Sequence, residues 1–144
     1  MKPFRSWYCP IHLVSGQRFT NQWAPGSKFF YSNYRKKWWK ALNFIVALAP
    51  PDWDKKQKHF LEIIRVMQPR KQHFDPENFT QGCKPIPDYF RKARWLKDDS
   101  EKWLRRLYYQ LTWKEAQAEG YKKPGTYINF WKGERVSFLR GIAF

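Results

Sequence analysis

The stretch that most constrains the fold is HFLEIIRVMQP, residues 59–69. Phe60, Glu62, Ile64 and Val66 alternate with Leu61, Ile63, Arg65 and Met67, so both faces of an extended chain are largely apolar. A strand of that kind needs neighbours on each side and cover on each face, the situation of a central strand. The chain has 144 residues, 42% hydrophobic and 20% aromatic, which is enough to bury one real core and argues against disorder. One domain over 1–144 is the expectation, an α+β fold with a mixed sheet and two principal helices.

The other elements fall around this strand. WYCPIHLV (7–14) reads as a strand interrupted by Pro10, and SGQRFTNQWAPGSKF (15–29) as a basic loop with turns at Gly16 and Pro25-Gly26. Residues 32–49 read as a helix with Trp38, Leu42, Ile45 and Ala49 at helical spacing, a Ser32 or Asn33 cap, and a stop at Pro50-Pro51. From Glu77 to about Arg94 the chain reads as a helix weakened by Gly82, Pro85 and Pro87, entered through an Asp75 cap and Pro76. WLRRLYYQLTW (103–113) fits helix or strand, and its aromatic content favours strand. GTYINFWKG (125–133) is expected to pair with it as a hairpin, across a loop at EAQAEGYKKPG.

Charge narrows the function. Lys and Arg number 28 against 12 Asp and Glu, a formal net charge of +16. Such an excess favours a phosphate-rich partner, namely DNA, RNA or an anionic membrane surface. No apolar run approaches the roughly 20 residues of a membrane span, and MKPFRSWYCP lacks the apolar core of a signal peptide. A cytoplasmic protein is the expectation. Basic residues cluster as Arg35-Lys36-Lys37, Lys55-Lys56, Arg70-Lys71 and Arg91-Lys92, with Arg18 and Lys28 in the first loop. Arg18, Arg35, Lys36, Lys37, Arg70 and Lys71 are the candidate DNA contacts. Trp38 and Trp39 offer surfaces for stacking on unpaired bases, although most of the nine Trp residues read as core or interface.

Carboxylates in so basic a chain need a reason. Asp75 and Glu77 lie two residues apart, and in an extended chain their side chains share one side and can converge on one cation. Oxygen ligands suit Mg²⁺ or Mn²⁺. A third carboxylate from Asp98-Asp99 would complete the set, and Lys84, two helical turns after Glu77, would face a phosphate. The plainer reading is that Asp75 and Glu77 serve a helix N-terminus and that Asp98-Asp99 forms a turn. His73 shares parity with Asp75 and Glu77 and reads either as a group near the site or as an exposed residue. Cys9-Pro10-Ile11-His12 has no second pair at zinc spacing, and Cys83 reads as a small buried residue.

DPENFTQGCKPIPDYFRKARWLKDDS (75–100) resembles the signature of the RusA-like Holliday junction resolvases, phage members of which show D-P-D-N-L, then K-P, then D followed ten residues later by D-D-S. Asp75-Pro76-Glu77-Asn78, Lys84-Pro85, Asp88 and Asp98-Asp99-Ser100 stand in that register. SGQRF and FFYSNYRKKWWKAL are similar to that family's N-terminal loop and first helix. The resemblance implies a homodimeric, Mg²⁺-dependent endodeoxyribonuclease of branched DNA, in the host cytoplasm if phage-encoded. Asp75, Glu77 and Asp99 would be its metal carboxylates, with Asp98 ranked next. Lys84 would be its catalytic cation, and Asp88 a structural partner of Lys84. Two residues depart from the pattern. Glu77 stands in place of Asp, one methylene longer, and Arg94 stands where Gly usually ends the helix.

Overall fold

A computed structural model describes residues 3–20, 27–46, 49, 53, 58–97 and 104–132. In chain order the elements are β1 (Arg5–Cys9), α1 (Gln17–Thr20), α2 (Ser27–Ile45), β2 (His59–Val66), α3 (Pro76–Cys83), α4 (Pro85–Lys92), β3 (Leu104–Leu111), α5 (Trp113–Ala118) and β4 (Gly125–Lys132). The four strands form one mixed sheet in the order β1-β4-β2-β3, so the domain is α+β. β2 is interior and buried along its whole length, as its two apolar faces require.

The strand pairing corrects the expected hairpin. β3 lies parallel to β2, while β4 inserts antiparallel between β1 and β2, with Ile63 opposite Ile128 and Leu61 opposite Phe130. Residues 112–124 are no tight turn, and α5 takes the end of the segment read as a strand and the first residues of the one read as a loop. Thr112 caps α5 in a capping box with Glu115. α3 and α4 form the crossover that a parallel β2–β3 pair demands.

One sheet face, with Leu61, Ile63, Ile128, Phe130 and Trp7, packs under α2 and α4 in an aromatic core with Phe90 and Trp95. The buried ridge of α2 is Tyr34, Trp38 and Leu42, and Val46 just past its end continues the spacing of one residue every four. On the opposite face Ile64, Val66 and Leu111 meet Ala116 of α5. Glu62 is buried there and accepts a hydrogen bond from Asn129 Nδ2 at 2.5 Å.

Several element boundaries move. β1 ends at Cys9 because Pro10 has no N–H for the ladder. The basic loop at 15–29 gives way to α1 and to the first turn of α2. The early start of α2 is held by Phe19, whose ring lies 5.0–5.7 Å from those of Phe30, Tyr31 and Tyr34. The turn at Pro25-Gly26 and the stop at Pro50-Pro51 lie outside the described residues. The single helix over 77–94 is two helices meeting at Lys84, which keeps helical dihedrals (φ −51, ψ −39). Pro85 and Pro87 have no N–H to offer the carbonyls of the preceding turn.

α4 ends in a Schellman arrangement. Trp95 N–H donates to Phe90 O at 2.9 Å, Arg94 N–H donates to Arg91 O at 3.1 Å, and the Trp95 and Phe90 rings meet edge to face. Arg94 occupies the left-handed position, φ 66, where Gly is unstrained. Arg94→Gly is therefore expected to stabilise the protein by about 0.5–1 kcal/mol, the relief of strain exceeding the unfolded-state entropy that Gly adds. A denaturant midpoint that falls instead would contradict this account of the helix end.

Candidate functional site

The route into the acidic segment is built by residues that periodicity alone does not single out. After β2 the chain turns at Gln68–Lys71, with Lys71 N–H donating to Gln68 O at 3.2 Å. Pro69 takes the second position of this turn and Arg70 (φ 68) the third, a left-handed site normally given to Gly. The Gln110 side chain of β3 then clamps Phe74 like a strand neighbour. Its Oε1 accepts from Phe74 N–H at 2.9 Å and its Nε2 donates to Phe74 O at 2.8 Å. Arg65 Nη1 donates to the same Gln110 Oε1 at 2.7 Å and to Gln72 O at 3.3 Å, and the guanidinium lies 3.6 Å from the Phe74 ring centre. The backbone is thus fixed one residue before Asp75.

Asp75 is an N-cap with φ −62 and ψ 156. Its Oδ1 accepts from Asn78 N–H at 2.9 Å and its Oδ2 from Asn78 Nδ2 at 2.6 Å, with Pro76 opening α3. Glu77 sits in the first helical turn, and both carboxylates are exposed. The expected extended geometry is therefore corrected: Pro76 and the Asp75 cap start the helix at once, and the two acids share a helix start rather than one side of a strand. Each Asp75 oxygen accepts one hydrogen bond and keeps a further acceptor site.

Lys84 is exposed at the α3–α4 junction, with Nζ 5.8 Å from the Tyr31 ring centre. It lies about 10 Å along the axis from Glu77. Asp88 is buried in the first turn of α4, where its N–H donates to Lys84 O at 3.4 Å and its carboxylate makes no ion pair with Lys84. His73 Nε2 lies 3.6 Å from Glu115 Oε1, so His73 meets α5 at the surface. Asp98 and Asp99 lie outside the described residues, as do Lys55 and Lys56. Up to Lys97 the approach to them is anchored by buried Trp95 and Leu96, with Trp53 Nε1 donating to Trp95 O at 2.8 Å.

Arg18, Lys36, Lys37, Arg70 and Lys71 are exposed and Arg35 is half-buried. Trp38 is fully buried, which removes it as a stacking surface. Trp39 is half-buried, donates to Pro85 O at 2.9 Å, and has Arg35 and Lys92 against its ring at 5.1 and 4.5 Å. Cys9 and Cys83 are buried free thiols, and burial pushes the Cys83 thiol well above its ordinary pKa.

Among the described residues no three of His, Cys, Asp and Glu form a metal-binding group. The donor chemistry of Asp75 and Glu77 nevertheless fits Mg²⁺, which is commonly held by one or two carboxylates with water and substrate phosphate filling the remaining positions. Comparisons with protein-family models, curated proteins and solved structures each gave no match.

Proposed function

We propose that this protein is a Mg²⁺-dependent endodeoxyribonuclease that cuts branched DNA, four-way junctions first among them, as a homodimer. The observation that carries the reading is an exposed acid pair at the start of α3, on a chain of net charge +16. The register of Asp75, Glu77, Lys84, Asp88 and Asp98-Asp99 shared with the RusA-like family supports it. Mn²⁺ is the natural substitute for the ion.

In this reading Asp75, Glu77 and Asp99 would hold the ion, with Asp98 ranked next. The bound ion supplies a water of lowered pKa and neutralises charge on the phosphate. Water attacks the phosphorus in line, one P–O bond breaks, and the leaving oxygen takes up a proton. Lys84 offsets the charge that grows on the phosphoryl oxygens. Arg18, Arg35, Lys36, Lys37, Arg70 and Lys71 hold the backbone. Two-fold symmetry would present two such sites to a roughly symmetric junction.

A second reading is a nucleic-acid-binding protein without catalysis. The two cap bonds from Asn78 favour it, since they give Asp75 a structural role. Junction, flap, fork and duplex DNA incubated with the protein, with and without Mg²⁺, separate the two. The nuclease reading expects metal-dependent nicking with the junction cut fastest. Tight binding with no product on any substrate establishes the second reading, and faster flap or fork cutting reassigns the substrate.

A further inference from the structure

Arg65 is 6% exposed and shares the core-facing side of β2 with Leu61 and Ile63. Among the described residues it has no carboxylate partner. Both of its hydrogen bonds leave from Nη1, so Nε and Nη2 retain protons for another acceptor. Burial lowers its pKa to about 10, which leaves it charged at neutral pH. A buried guanidinium without a counter-charge is costly unless something negative visits it.

The space beside it suits such a visitor. Arg65, Phe74 and Lys71 line a pocket of about 280 Å³ together with His12, Ser15 and Arg18 from the segment after β1. His12 and Arg18 also line an adjoining pocket of about 450 Å³, walled by Phe30, Tyr34, Asn33 and Lys37. Among the described residues no acidic side chain lines either pocket. His12 is held below its ordinary pKa by burial first and then by Arg65, Lys37 and Lys71, as expected of a site that concentrates positive charge.

We infer that the pocket at Arg65 is a phosphate-binding site, which seats one backbone phosphate of a nucleic-acid strand. Arg65 presents its free edge as a fork, the geometry that matches two phosphate oxygens, and Lys71 and Arg18 close on the phosphate from the rim. The adjoining pocket, where Phe30 and Tyr34 stand beside Asn33, Arg18 and Lys37, takes the neighbouring base or sugar. Phe74 forms a wall of the site and immediately precedes Asp75, so a strand anchored here runs past the acid pair. The anion chemistry stands on the pocket alone. The nucleic acid as its source rests on the function proposed above.

The test titrates inorganic phosphate into the full chain at constant ionic strength and follows the His12 ring resonance. Wild type is expected to show saturable one-to-one binding. Arg65→Gln is expected to weaken it at least about tenfold, the loss of charge-assisted hydrogen bonds. Lys71→Gln and Arg18→Gln, both at exposed positions, are expected to weaken it several-fold and serve if Arg65→Gln does not fold. Lys114→Gln, exposed on α5 and lining neither pocket, is expected to have no effect and controls for net charge. Non-saturable binding, or equal affinities across the pocket variants and the Lys114→Gln control, overturns the site. A single-stranded oligonucleotide is then expected to compete with phosphate for the same resonance. Phosphate binding without such competition overturns the nucleic-acid source and leaves a free-phosphate site. Absence of junction cleavage with both binding results intact counts against the nuclease reading only.

Discussion

Asp75→Asn is expected to leave the protein folded and to lower junction cleavage by at least about a hundredfold. As an N-cap, Asn is as good as Asp, and its amide oxygen can accept from Asn78 N–H as Asp75 Oδ1 does now. The melting temperature should move by no more than about 2 °C. As a cation ligand the neutral amide is far weaker, and the ion loses a formal negative charge. DNA binding should persist or tighten, because a negative charge facing a polyanion has gone. Asp75→Ala would confound the two roles, since loss of the cap alone costs about 1 kcal/mol. If Asp75→Asn cuts as fast as wild type, the carboxylate is only a cap.

Gly82→Ala is expected to destabilise the protein by about 2 kcal/mol or more, read from denaturant unfolding. A Cβ at this position would lie 2.0 Å from the backbone oxygen of Val14. Ala favours a helix over Gly by about 1 kcal/mol, so the clash must first overcome that gain. The surroundings give it little room. Tyr34 OH donates to Gly82 O at 2.6 Å and accepts from Val14 N–H at 3.3 Å, and Gly16 N–H donates to Asn78 O at 2.9 Å. α2, α3 and the segment 13–16 are thereby tied at one point, and burial raises the Tyr34 hydroxyl pKa far above its ordinary value. Val14 also lines the Arg65 pocket and the one adjoining it, so this contact sets the groove relative to Asp75. A Gly82→Ala protein as stable as wild type would mean that α3 and Val14 are not in backbone contact.

How much of this was legible in the sequence depended on whether the cause was local. The two-faced apolarity of 59–66 announces an interior strand without reference to any neighbour, and the mixed α+β class follows from it. Asp75-Pro76 carries its own capping chemistry, so one of the two readings of that acid was already the observed one. Strand pairing is not local. β4 lies between β1 and β2 because Ile128 and Phe130 complete the core against Ile63 and Leu61, a match that adjacency along the chain between β3 and β4 does not reveal. The clamp of Gln110 on Phe74 joins residues 36 apart and has no sequence signature. Arg65 did leave a trace, a charged residue on the core-facing side of an apolar run, but its meaning needs the pocket beside it. Arg94 raised the question of how the second helix ends, and the answer is a left-handed Arg that keeps the Gly-type stop.

The central claim is that Asp75, Glu77 and Asp99 meet around one divalent ion, and crystals grown with Mn²⁺ test it most directly through anomalous scattering. The account predicts a peak bridged by the side chains of residues 75, 77 and 99, lost in Asp75→Asn. Residue 99 resolved away from the other two, with no peak at the start of α3, would contradict it.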